Sequence, residues 1–155
     1  MYELSIDRKS LNNLLRKLDD SVRPRVLIKS LKLSGSFLKG WIVESRLKGP
    51  RPKFLGRISA RLSTSIQATE PEQISDGYQI RIGTNVEYAR KHEFGFVGKE
   101  QVGAHTRKGH PVRAFTRNIN LRARPFLRPA LESRSNQLKV GLIFRDEILK
   151  ELNKT

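Results

Sequence analysis

The spacing of apolar residues changes partway along this 155-residue chain, and a change of period is a change of secondary structure. Leu11, Leu14, Leu15 and Leu18 recur at helical spacing, and so do Leu27, Leu31, Leu38, Trp41 and Ile42. The first set predicts a short amphipathic helix with Ser5 or Asp7 as its cap. The second predicts a longer helix opened by Pro24, a favourable first-turn residue, and running to about Arg46. Asp19 to Arg23 reads as the break between them. Gly35 and Gly40 weaken the longer helix by roughly 1 kcal/mol each relative to alanine. The segment KGPRPKFLG, Lys48 to Gly56, then stops it with prolines and glycines.

Beyond that connector the period becomes two. Leu62, Thr64, Ile66 and Ala68 alternate with polar neighbours, as do Tyr78, Ile80 and Ile82, with Pro71 and the turn pair Asp76-Gly77 between them. Two antiparallel strands are expected, each with one face toward a core. Thr84 and Glu87 then stand at capping-box spacing ahead of a short helical turn at 86–94, and Gly95 occupies the place of a left-handed helix terminator. Gly98, Gly103, Gly109 and Pro111 punctuate the next stretch, a long loop or extended hairpin that returns through Val112, Ala114 and Phe115. Loops of that length in compact domains are usually functional or disordered. Pro129 opens a last helix whose stripe runs Leu131, Leu138, Leu142, Leu149 and Leu152, interrupted by Gly141. The expected organisation is one domain: N-terminal helices over 1–47, strands, helical turn and basic arm over 57–128, and a C-terminal helix over 129–155.

Charge narrows the partners. Lys and Arg number 31 against 15 Asp and Glu, a net charge of +16, and residues 97–128 hold eight of the bases with one acid. These are Lys99, Arg107, Lys108, Arg113, Arg117, Arg122, Arg124 and Arg128, with Phe96, Phe115 and Phe126 near or among them. Arginine forks bind phosphate bidentately, and each phosphate neutralised makes affinity more salt-dependent. Charge reports a polyanion and not its identity, so DNA contact and an acidic protein partner stay open, beside a merely solvated loop.

Several chemistries find no support. The chain has no cysteine, so disulfides, thiolate metal sites and thiol nucleophiles are excluded. His105 and His110 stand five apart in a glycine-containing loop without the glutamate of a zinc-protease helix. His92 and Glu93 are adjacent, which on a helix points them about 100° apart. Tyr88 and His92 are one turn apart, so the imidazole is expected to pack or hydrogen-bond against the tyrosine. Gly98-Lys99-Glu100 lacks the rest of a phosphate loop, and no GxSxG elbow occurs. A non-enzymatic protein without metal or cofactor is expected. The N-terminal MYELSIDRKS has no apolar core of signal-peptide length, and no stretch has the apolar length of a membrane span, so the chain reads as made and kept in a cytoplasm.

The order GRISARLSTSI, DGYQIRIGTNVEYARKHEFG, a glycine-rich insertion and ARPFLRPALE resembles the bacteriophage tail-completion and head-tail joining (neck) proteins, over roughly residues 55–133. The family positions are Gly83, Tyr88, His92, Glu93, Phe94, Gly95, Pro125, Phe126, Leu127 and Pro129, all structural, with Tyr88 and Phe94 as anchors in a core. The resemblance implies an α+β fold: an antiparallel sheet packed against N-terminal and C-terminal helices, with a long projecting hairpin or loop. It implies self-assembly into a ring, commonly sixfold, between the head connector and the tail tube or its terminator, in a virion assembled in the bacterial host cytoplasm. This chain departs from the family in the long, basic insertion from Val97 to Asn120, which reaches a neighbouring subunit or lines the DNA passage on this reading. The rival reading, from the +16 charge alone, is a free basic nucleic-acid-binding protein.

Overall fold

The computed structural model describes residues 8–48, 55, 60–75 and 77–154. The fold is α+β, helices at both ends and short antiparallel pairings between them. Ser5, Asp7, Asp76, the GRIS stretch and most of the Lys48–Gly56 connector lie outside the described residues.

Helix α1, Arg8–Leu15, is followed by a turn and then α2, Arg23–Ile42, with Pro24 in its first turn. Arg23 closes α1, its guanidinium donating to the carbonyls of Leu15 and Leu18 at 3.1 Å each while also pairing with Asp20 at 2.8 Å. Along α2 the buried serines Ser30 and Ser34 donate to the carbonyls four residues back, at 2.8 Å each. That satisfies two hydroxyls that burial would otherwise leave costly. Gly35 has a packing reason: a Cβ there would lie 2.6 Å from Cδ1 of Ile80, which docks against the helix. The last turn widens into a π-turn, Val43–Leu47, where the Lys48 N–H bonds to the Val43 carbonyl at 3.1 Å.

The expected strand through Leu62 begins instead as a helical turn, α3, Arg61–Ser65. Leu62 and Ile66 are four apart and both buried, which suits one face of a helix, and the hydroxyls of Ser63, Thr64 and Ser65 bond back to carbonyls three or four residues earlier. Strand β1, Gln67–Ala68, follows and pairs with β4, Ile82–Gly83; between them β2, Glu72–Ile74, pairs with β3, Gly77–Gln79. Among the described residues the strands form separate two-stranded pairings rather than one sheet.

Helix α4, Tyr88–Phe94, is followed by β5, Phe96–Val102, which pairs antiparallel with β8, Phe115–Leu121, from Phe96↔Leu121 to Val102↔Phe115. Between them β6, His105–Arg107, pairs with β7, His110–Val112. The chain ends with α5, Arg128–Glu132, a break at Ser133, and α6, Arg134–Leu152. The single C-terminal helix expected from Pro129 is thus two. Ser133 is extended (φ −64°, ψ 117°), and the carbonyls it leaves exposed on α5 accept from Asn136 and Gln137 at 2.9 Å each.

Two cores result. The larger joins the second half of α2 and the π-turn to α3, α4 and α5 around Ile42, Ile66, Ala89, Phe126 and Ala130; the smaller packs α1 and the start of α2 on Ile148 of α6. The C-terminal leucine stripe splits: Leu152 packs against the smaller core, whereas Leu138, Leu142 and Leu149 are 53%, 41% and 38% exposed. Helix α6 turns Asn136, Glu147 and Ile148 inward, with Glu147 held between Lys29 of α2 and Lys150 at 2.7 Å each.

Candidate functional site

The two family-like stretches meet through one side chain. Glu93, near the end of α4, is buried, and its carboxylate accepts the backbone N–H groups of Phe126 (2.8 Å), Leu127 (3.0 Å) and Arg128 (2.9 Å). These are donors at the start of α5, which a helix leaves without partners of its own. Phe126 then sinks into the larger core with 1% of its surface exposed, and Pro129 sits in the first turn of α5. The Arg124 N–H donates to the His92 carbonyl at 2.7 Å, a second stitch between the same segments. The His92 ring meets Tyr88 edge-on, with centroids 5.8 Å apart, in the packing expected from their spacing.

Two details differ from the sequence reading. Thr84 and Glu87 form no capping box: the Thr84 hydroxyl shares a hydrogen bond with Ser65 at 2.6 Å and accepts from the Val86 N–H at 3.2 Å, and no side chain caps α4. Gly95 does end the helix with positive φ, yet at φ 78° and ψ 169° it lies outside the left-handed helical region. A Cβ there would stand 3.0 Å from both the Ala123 nitrogen and the Leu121 carbonyl, so glycine is required by conformation and by space.

Phe94 is not a core anchor. It is 71% exposed and lines, with Leu131 at 54%, an open apolar groove of about 620 Å³ between α4 and α5. Gly83, Val86, Ala89, Phe126 and Leu127 line much of the rest. The residues bracketing the groove come from both family-like stretches, so folding brings them to one surface.

The basic insertion is a two-stranded ribbon with unlike faces. Directly opposed residues share a face, so Phe96, Val102, Phe115, Ile119 and Leu121 fall on one side; Lys99, Gln101, Thr116, Asn118 and Asn120 fall on the other, together with Val97. At the root, Lys91 of α4 lies 4.7 Å over the Phe96 ring and pairs with Glu100 at 2.7 Å. Glu100 also takes Arg117 at 2.7 Å, and these two partners, Lys91 foremost, hold its carboxyl below its ordinary range. Arg117 is thus engaged within the chain, although Glu100 serves both cations and the three side chains together keep one net positive charge. At the other end Lys108 and Gly109 both have positive φ, 51° and 81°, as a two-residue type I′ turn requires.

Of the remaining basic candidates, Lys99 is on β5, Arg107 on β6, Lys108 in the turn and Arg113 between β7 and β8, all exposed; Arg122 is exposed just past β8, and Arg124 is half-buried. Arg128 pairs with Glu132 at 2.8 Å. Among the described residues no group of three His, Asp or Glu side chains is placed to hold a metal ion, and no helix is long and apolar enough to cross a membrane. Sequence reasoning missed Lys91 and Glu100 as the pair that fixes the ribbon root, and it missed the amide face. The alternation of Val97, Lys99 and Gln101 against Phe96, Gly98, Glu100 and Val102 was the available signal. No family model, curated protein or solved structure matches the chain.

Proposed function

We propose that this chain is a structural virion protein of the phage neck, a tail-completion or head-tail joining protein that assembles as a ring between the head connector and the tail tube. The observation that carries the reading is the exposed apolar rim of Phe94 and Leu131 on a groove built by the two stretches that resemble that family. Large apolar side chains gathered beside an apolar groove mark interaction surfaces in soluble proteins. The outward leucines of α6 and the apolar face of the ribbon add area of the same kind, on surfaces of different shape. Unlike surfaces on one chain are what a heterologous, ring-closing contact uses, whereas a twofold dimer needs a single self-complementary patch.

The test is genetic and structural together. Disrupting the gene in the phage or prophage that encodes the chain is expected to yield DNA-filled heads and free tails that fail to join, with rescue by the gene in trans. Normal joined particles in its absence overturn the reading. The free nucleic-acid-binding alternative draws on the ribbon's cations, and DNA contact alone fits both; membership in the particle separates them.

A further inference from the structure

Among the described residues, few carboxylates are left to neutralise the ribbon's cations on another copy of this chain. Nine of the twelve carboxylates among the described residues already sit in ion pairs within the chain. A tenth, Glu93, is taken up by three backbone N–H groups, and the remaining two are Asp19 and Glu87, far apart in sequence. Opposite them, Lys99, Arg107, Lys108, Arg113 and Arg122 are exposed and make no ion pair among the described residues. The sequence from Gln101 to Leu131 contains no acid at all. A surface of that kind favours counter-charge from a polyanionic molecule.

The face between those cations narrows the chemistry. Gln101, Thr116, Asn118 and Asn120 stand beside Lys99 on one side of the ribbon, exposed, with no side-chain hydrogen bond to the described chain. Amides and hydroxyls both donate and accept. The carboxylates of an acidic protein surface only accept, so they engage the donors of this face and not its acceptors. A DNA duplex offers phosphates to the cations and both donors and acceptors along the base edges, and its major groove, about 12 Å wide, admits a two-stranded ribbon. The type I′ turn keeps the tip narrow and sets Arg107 and Lys108 at its end.

We infer that the amide face of the ribbon and its cationic tip form a contact surface for duplex DNA, held chiefly through phosphates. The inference deepens the joining reading and rests on it only for which duplex is met, the packaged genome. Five cations at most give a salt slope of roughly −4.5 in log affinity against log salt, weak enough at physiological salt for DNA to slide past.

The experiment is fluorescence anisotropy of the full chain with a labelled duplex of mixed sequence, about 30 base pairs long, titrated at several salt concentrations. A triple variant, Arg107→Ala, Lys108→Ala and Arg113→Ala, is compared with a charge-matched control, Arg16→Ala, Lys17→Ala and Lys39→Ala, taken from exposed positions off the ribbon. The ribbon triple is expected to flatten the salt slope by about 2.7 and weaken low-salt binding at least tenfold, roughly the loss of three phosphate contacts. The control is expected to keep the wild-type slope, and both should melt with the wild type because none of the six residues is buried. Equal weakening by the two triples, no duplex binding, or equally tight binding of labelled poly-glutamate, the mark of an acidic protein partner, each overturn the inference. Loss of the DNA surface with the chain still in joined particles leaves the joining reading intact, and DNA binding by a chain absent from particles overturns joining alone.

Discussion

Glu93 and Phe126, 33 residues apart, are joined by a 2.8 Å hydrogen bond from the Phe126 N–H to the Glu93 carboxylate. Through it the short helix α4 holds the start of α5, and the same carboxylate takes the next two N–H groups as well.

Removing that acceptor leaves buried donors without partners. Glu93→Gln, which keeps the size and turns an amide toward N–H groups, is expected to cost about 3 kcal/mol, since hydrogen bonds to a charged group are worth about 1.5–3 kcal/mol each. For a domain of this size that is a fall of roughly 6–12 °C in Tm, read by thermal melting followed by circular dichroism. An unchanged melting temperature contradicts the assigned role.

The two glycines of α2 should behave oppositely when changed to alanine. A methyl group at Gly40 would have nothing within 4 Å, so Gly40→Ala is expected to stabilise by about 1 kcal/mol through helix propensity. Gly35→Ala gains the same propensity and loses it again to Ile80 Cδ1 at 2.6 Å and Ala68 Cβ at 3.1 Å. Urea midpoints of the two variants, measured side by side, decide the point; a Gly35→Ala gain matching that of Gly40→Ala shows that Ile80 does not need the space.

Acid should loosen α2 from α6. Lys150 first and Lys29 second hold the Glu147 carboxyl below its ordinary value against the opposing effect of burial. A group depressed in the folded state contributes stability above its unfolded pKa, about 4.3 for glutamate, and loses it as pH falls through the folded value. Urea midpoints are therefore expected to drop below about pH 4 more steeply for the wild type than for Glu147→Gln, which starts lower at neutral pH. Parallel curves for the two proteins argue that the ion pairs do not carry the acid response.

The exposed rim should matter for assembly and little for folding. Phe94→Ser with Leu131→Ser removes apolar surface that water already reaches, so Tm is expected to stay within a few degrees of wild type. Joined particles from a phage carrying both changes should fall sharply in number, counted by negative-stain microscopy. Wild-type particle yield places the interface elsewhere.

The sequence made some of this legible and hid the rest for physical reasons. Pro24, Gly95 and Pro129 act locally through their own backbones, so the boundaries they set could be read directly. Leu62 and Ile66 fit both a strand's alternation and a helix's four-residue step, and the folded chain takes the helical turn, with the hydroxyls of Ser63 and Ser65 bonded back to its carbonyls. The leucines of α6 declare an apolar stripe without saying what covers it; Leu152 packs on the smaller core, and the exposure of Leu138, Leu142 and Leu149 shows that the rest is not covered by this chain's described core. Glu93 was readable as part of a family-like stretch, but its three partners lie beyond the ribbon, where no local pattern points.

Electron cryo-microscopy of phage particles purified from cells that carry the gene decides whether the chain is the joining protein proposed above. A ring of this α+β fold is expected between connector and tail, with Phe94 and Leu131 covered by a neighbouring subunit. Intact, joined particles that lack the chain contradict the joining role.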